Sequence, residues 1–92
     1  GSIGISSREN IGLTVYPIPF TSDLYLCTEK HGEYNVILSD VLGKNLYGLA
    51  DVQLNKGEIL HLNLAHLTLS SGIYLLSIIS DNTEEHIRIV KD

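Results

Sequence analysis

Gly72-Ile73-Tyr74-Leu75-Leu76-Ser77-Ile78 is the stretch that most restricts what this chain can become. It follows Ser70-Ser71, runs on to Ile79 and closes at Ser80-Asp81-Asn82, so an apolar run rich in β-branched and aromatic residues is bounded by turn formers. Such a run reads as a β-strand. Successive residues of a strand face opposite ways, which puts Tyr74, Leu76 and Ile78 on one face and Ile73, Leu75, Ser77 and Ile79 on the other. Both faces carry large apolar groups, the pattern of a central strand covered on each side. The rest of the chain is expected to supply that cover.

It does so in short strands. Leu13 and Val15 lead into Tyr16-Pro17-Ile18-Pro19-Phe20, where two prolines that cannot donate ladder hydrogen bonds must end a strand or hold it at an edge. Leu24 to Cys27 is a second strand after the Thr21-Ser22-Asp23 turn, and Glu29-Lys30-His31-Gly32-Glu33 reads as a hairpin loop. Tyr34, Val36 and Leu38 alternate with Asn35, Ile37 and Ser39 to give a third. Asp40-Val41-Leu42-Gly43 fits a type I turn, with Asp first and Gly fourth. A short fourth strand, Asn45 to Leu49, precedes a polar stretch that ends at Asn55-Lys56-Gly57. Leu60, Leu62 and Leu64 alternate with His61 and Asn63 in a fifth, and Ile87 and Ile89 alternate with His86 and Arg88 in the last. No window carries apolar residues at helical spacing. The pattern predicts an all-β fold, an immunoglobulin-like β-sandwich of about seven antiparallel strands.

Ninety-two residues allow one domain. Gly1-Ser2 reads as an expression-tag remnant, residues 3–11 as a linker and residues 12–92 as the domain. Methionine and tryptophan are absent, so the core must rest on Leu, Ile, Val and Tyr. The formal charge of −5, with no basic stripe, argues against nucleic acid as a partner. No apolar run reaches the roughly 20 residues of a membrane helix.

Sequence motifs for catalysis are missing. There is no Gly-x-Ser-x-Gly, His-Glu-x-x-His, phosphate-cradling loop or Cys-x-x-Cys, so no enzyme, cofactor or metal is expected. His61 and His66, and the acidic group Asp81, Glu84 and Glu85, read as solvated side chains rather than ligands. Cys27, the one cysteine, reads as a small core filler. A carbohydrate-binding sandwich would need exposed aromatics on one sheet face, and Tyr25, Tyr34 and Tyr47 are the candidates.

Four segments, taken together and in order, resemble the C-terminal sorting domain of proteins exported by the type IX secretion system. Val15-Tyr16-Pro17-Ile18-Pro19-Phe20 is similar to that family's Pro-x-Pro motif, and Leu38-Ser39-Asp40-Val41-Leu42-Gly43-Lys44 to its Asp-x-x-Gly-Lys turn. Gly72 to Ile78 fits Gly-x-Tyr-x-Leu-x-Ile at every fixed position, and Ile87-Arg88-Ile89-Val90-Lys91 resembles the basic, apolar terminal strand. Ile18 departs from the small polar residue usual between the prolines, and Thr68-Leu69-Ser70-Ser71 lengthens the loop before Gly72.

The resemblance implies a non-catalytic secretion signal that directs a cargo protein across the outer membrane, often followed by sortase cleavage and surface attachment. Its partners would be the outer-membrane translocon, a shuttle protein, the sortase and the N-terminal cargo domain of the same precursor. The route runs through the periplasm to the outer membrane, the cell surface or the medium, with cleavage in or before residues 3–11. By the same resemblance the recognition residues are Pro17, Pro19 and Phe20, then Asp40, Gly43 and Lys44, then Gly72, Tyr74, Leu76 and Ile78, and finally Arg88 and Lys91. Tyr74, Leu76 and Ile78 also read as core, whereas Lys91 and the final strand suit direct contact by β-augmentation. On that reading, deletion of the last five residues abolishes export and leaves the rest folded. An edge strand open to a second copy would give a homodimer. The alternative is an immunoglobulin-like binding or anchoring module retained on a surface protein.

Overall fold

The computed structural model describes residues 11–81 and 83–92. Seven strands are β1 (Thr14–Tyr16), β2 (Asp23–Cys27), β3 (Gly32–Asp40), β4 (Asn45–Leu54), β5 (Ile59–Asn63), β6 (Gly72–Ile79) and β7 (Glu84–Lys91), and no helix occurs among the described residues. They form a three-stranded sheet, β1-β2-β5, and a four-stranded sheet, β4-β3-β6-β7, with every pairing between strands antiparallel. The all-β sandwich of seven strands is therefore as the alternation predicts. Its fourth strand pairs with the third, whereas the constant-type immunoglobulin arrangement sets the fourth beside the fifth.

The core lies between the sheets. Leu24 and Leu26, Tyr34, Val36 and Leu38, Leu62 and Leu64, Tyr74, Leu76 and Ile78, and Ile89 all point into it and are buried. At about 1.5–3 kcal/mol for each large side chain removed from water, this layer is the main source of stability. β6 is central as expected, between β3 and β7. Its second face is not covered, however: Ile73 and Leu75 stay 46% and 36% exposed. A two-layer sandwich has nothing to place there, so apolar residues on both faces do not imply burial on both.

Three further placements differ from the sequence reading. β4 continues past Leu49 to Leu54, through a residue inserted opposite Asn35: Tyr34 pairs with Val52 but Val36 with Leu49. Asp51 takes φ 58° there and its amide donates to Asn35 Oδ1 at 3.0 Å, a bulge that the local polar sequence hides. Cys27 shares the outer face of β2 with Asp23 and Tyr25 and is half-buried rather than in the core. Ile11, read as the end of the linker, is 2% exposed and belongs to the core. Residues 1–10, with the tag remnant and the rest of the linker, lie outside the described residues.

Ile11 is held where the chain enters, its amide donating to Glu85 Oε2 at 3.2 Å and its carbonyl accepting from the Glu29 amide at 2.7 Å. That is the Ile79–Glu84 end of the β6–β7 pair. The Gly72–Lys91 end lies at the far side of the sandwich.

Candidate recognition surface

Segments far apart in sequence meet at that far end. Gly72 pairs with Lys91, and Tyr74 pairs with Ile89 on one side and Asp40 on the other. The first segment arrives by a different route. Phe20 lies beside Lys91 as an isolated parallel bridge, its amide donating to the Val90 carbonyl and its carbonyl accepting from the Asp92 amide, both at 2.9 Å. The Phe20 ring is fully buried and stands edge-on to Tyr74, with 6.5 Å between centroids. Pro17 and Pro19 precede it on the surface, following cis peptide bonds, with Ile18 44% exposed between them.

The turn at Asp40 shows why its residue types are needed. One carboxylate oxygen, Oδ1, accepts from the Leu42 and Lys44 amides at 2.9 Å each, so the side chain caps the turn from inside. The Gly43 amide donates to the Asp40 carbonyl at 3.0 Å, the closing bond of a β-turn, and Gly43 sits at φ 90°, where a side chain is strained. Asp and Gly thereby raise the two residues between them into solvent. Those two are apolar: Val41 is 70% and Leu42 90% exposed. Turn tips are ordinarily polar, so these groups need a reason.

Beside the tip, Asp40, Val41, Gly43, Ile73, Leu75 and Arg88 line a shallow groove of about 310 Å³. Ile73, Leu75 and Val90 expose apolar surface on this outer face of the four-stranded sheet.

Residues 14–92 match the secretion system C-terminal sorting domain family, known from type IX secretion, along nearly the whole chain. The chain belongs to that family. No curated protein matches it. A sorting domain of this kind acts as a signal that engages the secretion machinery and takes its protein across the outer membrane, to the cell surface or into the medium.

The residues that the resemblance marked for recognition divide by what they touch. Leu76 and Ile78 are fully buried and belong to the core. Tyr74 is 7% exposed, and its hydroxyl donates back to the Ser70 carbonyl at 2.6 Å, the bond of a tyrosine corner. Phe20 is core. Asp40, Gly43 and Gly72, the last at φ 147°, set backbone geometry. Pro17, Pro19, Lys44 and Arg88 are exposed and Lys91 half-buried. The exposed apolar groups at this end, Val41, Leu42, Ile73, Leu75 and Val90, all stand at positions that the motifs leave variable. Two adjacent apolar residues inside a turn were the available signal.

Other side-chain groupings lead elsewhere. Ser77 Oγ lies 2.7 Å from His86 Nδ1, and His86 Nε2 lies 2.7 Å from Glu84 Oε2, a serine–histidine–carboxylate chain across the outer face of β6 and β7. Ser77 is 7% exposed and sits within the β6–β7 ladder. Glu84 and Glu85 alternate between the two faces, so the acidic group at this hairpin is split. Among the described residues no three metal-binding side chains gather.

The proposed aromatic face is corrected. Tyr34 is buried in β3, its hydroxyl bonded to the Lys30 carbonyl at 2.8 Å, and Tyr25 and Tyr47 belong to different sheets. Tyr25 instead stacks between Tyr16 and His61, with centroids 5.6 and 4.8 Å apart and planes within 20°. Rings stacked on one another across strands have their faces occupied, which is the surface a sugar would need.

Proposed function

We propose that this domain is a non-catalytic export signal read in its folded form, and that the reading surface is the Val41–Leu42 tip with the groove between Ile73, Leu75 and Arg88. The observation that supports it is convergence: all four motif segments meet at one end, and their fixed residues hold an apolar surface toward solvent. The partners at that surface are the type IX outer-membrane translocon and its shuttle protein, met by a folded domain in the periplasm. The upstream partner is an N-terminal cargo domain of the same precursor. Sortase cleavage falls before Ile11, because Ile11 is already part of the core.

The structure changes the weight given to the last five residues. Ile89 is fully buried and Asp92 is tied to Phe20, so their deletion opens the core as well as removing a contact. Export lost on that deletion therefore does not identify a contact strand.

The test is a reporter placed between a signal peptide and residues 3–92, expressed in a type IX-competent bacterium and in a translocon mutant. The proposal expects surface or secreted reporter in the competent strain alone, and retention in the periplasm when Val41 and Leu42 are both changed to Asp. The reporter's mass separates sortase removal of the domain from a domain kept as an anchor. Periplasmic reporter in both strains would turn the reading toward a binding module.

A further inference from the structure

The sandwich has four sheet edges, and three are poor templates for another strand. β1 has three residues and ends at Pro17; β5 has five. β4 has ten, but its register shifts twice against β3, between Tyr34 and Val36 and between Leu38 and Ser39, and bulges turn an edge away from a partner. β7 differs. It pairs with β6 over eight consecutive residues without a shift, so its outer edge is regular.

That edge is open over one part only. Val90 turns its carbonyl outward, toward Phe20. Backbone groups of an antiparallel strand alternate in direction, so the amides and carbonyls of Glu84, His86 and Arg88 also point away from β6. Phe20 closes the edge at Val90, and β7 begins at Glu84 on the other side. Among the described residues no backbone group pairs with the outer edge of Glu84 to Arg88.

We propose that this window pairs with the same window of a second copy, antiparallel, about a twofold axis at His86. In that register Glu84 of each chain lies opposite Arg88 of the other, on the same sheet face, and His86 faces its symmetry mate. The occupant is fixed by charge. Glu84, His86 and Arg88 would set charge against most foreign strands, yet reversed upon themselves they match. Arg88 has no ion-pair partner among the described residues, and Glu84 uses Oε2 for His86, leaving Oε1. The ends fit as well, because β7 of the second copy begins at Glu84, opposite Arg88, short of Val90, where Phe20 closes the edge. The two four-stranded sheets become one of eight strands. A five-residue edge contact is far smaller than a standard interface, so the dimer is weak and forms on crowding.

Sedimentation of the 92-residue chain tests this without any secretion machinery, so its outcome is independent of the export reading. At low salt the chain should show reversible dimerisation at high micromolar concentration. Glu84→Arg places Arg opposite Arg88, and Arg88→Glu places Glu opposite Glu84; each should weaken self-association by roughly tenfold or more. An equimolar mixture of the two variants restores both pairs and should form the heterodimer. Far-UV circular dichroism checks that each variant is folded, which exposure of both side chains favours. A wild-type chain monomeric to about 1 mM overturns the proposal, as does a dimer unaffected in either variant or a mixture that stays monomeric.

Discussion

Phe20 and Lys91 lie side by side as a parallel bridge that joins the proline corner to the C-terminal strand. The bonds on either side of it, from the Phe20 amide to Val90 and from the Asp92 amide to Phe20, fasten the C-terminal strand to a residue 70 to 72 positions earlier. The buried ring beneath them makes the fastening hydrophobic as well as polar.

Phe20→Ala should therefore destabilise the domain by about 3–5 kcal/mol and unfasten the C-terminus at the same time. Denaturant unfolding measures the first effect, and hydrogen exchange at the Asp92 amide the second. An Asp92 amide as protected as in the parent would show that the ring is not what holds the strand.

Tyr74→Phe keeps the ring in the core and removes one hydrogen bond to the Ser70 carbonyl. The expected loss is about 1 kcal/mol, or a melting temperature lower by roughly 4–8 °C for a domain of this size. Export below that temperature should be unchanged, since the hydroxyl is spent inside the domain.

Val41→Asp with Leu42→Asp makes the opposite separation. Both side chains are largely in solvent, so stability should stay within about 0.5 kcal/mol of the parent. Surface delivery of a fused reporter should fall sharply. Full delivery by a stable double variant would remove the tip from the recognition surface.

Asp40→Ala should loosen the tip that Asp40 caps. Two amides lose their acceptor but remain in reach of water, so the cost is about 1 kcal/mol. The Leu42 and Lys44 amides should exchange faster while β3 and β6 stay protected, and delivery should drop more than stability does.

Lys91→Ala replaces the five-residue deletion as the test of the terminal contact. Among the described residues the ammonium reaches the Asp92 carbonyl alone, at 3.3 Å, so the substitution should leave the core intact. Unfolding curves should barely move, and any fall in delivery then reports a lost contact.

The strands were legible in the sequence because alternation is local. Leu60, Leu62 and Leu64 declare a buried face without reference to any other residue. What was not legible depends on partners far along the chain. Ile73 and Leu75 look like core until the two-layer arrangement leaves their side bare. Val52 and Leu54 look like loop until Asn35 accepts from Asp51 across the bulge. Phe20 reads as one more motif residue, and only the pairing of distant strands makes it the clasp on Lys91. The motifs themselves were visible, but their fixed positions mark the scaffold, while the apolar groups they expose occupy positions that a motif leaves blank.

The separation between the entry at Ile11 and the Asp40 tip carries one more consequence. β6 spans seven residue steps between those ends, about 23 Å at strand rise. A protein joined upstream of Ile11 hangs from one pole while the apolar tip faces outward at the other. On the proposed reading, freight attached at that pole would leave the apolar tip clear of its bulk, so a single label would serve freight of any shape.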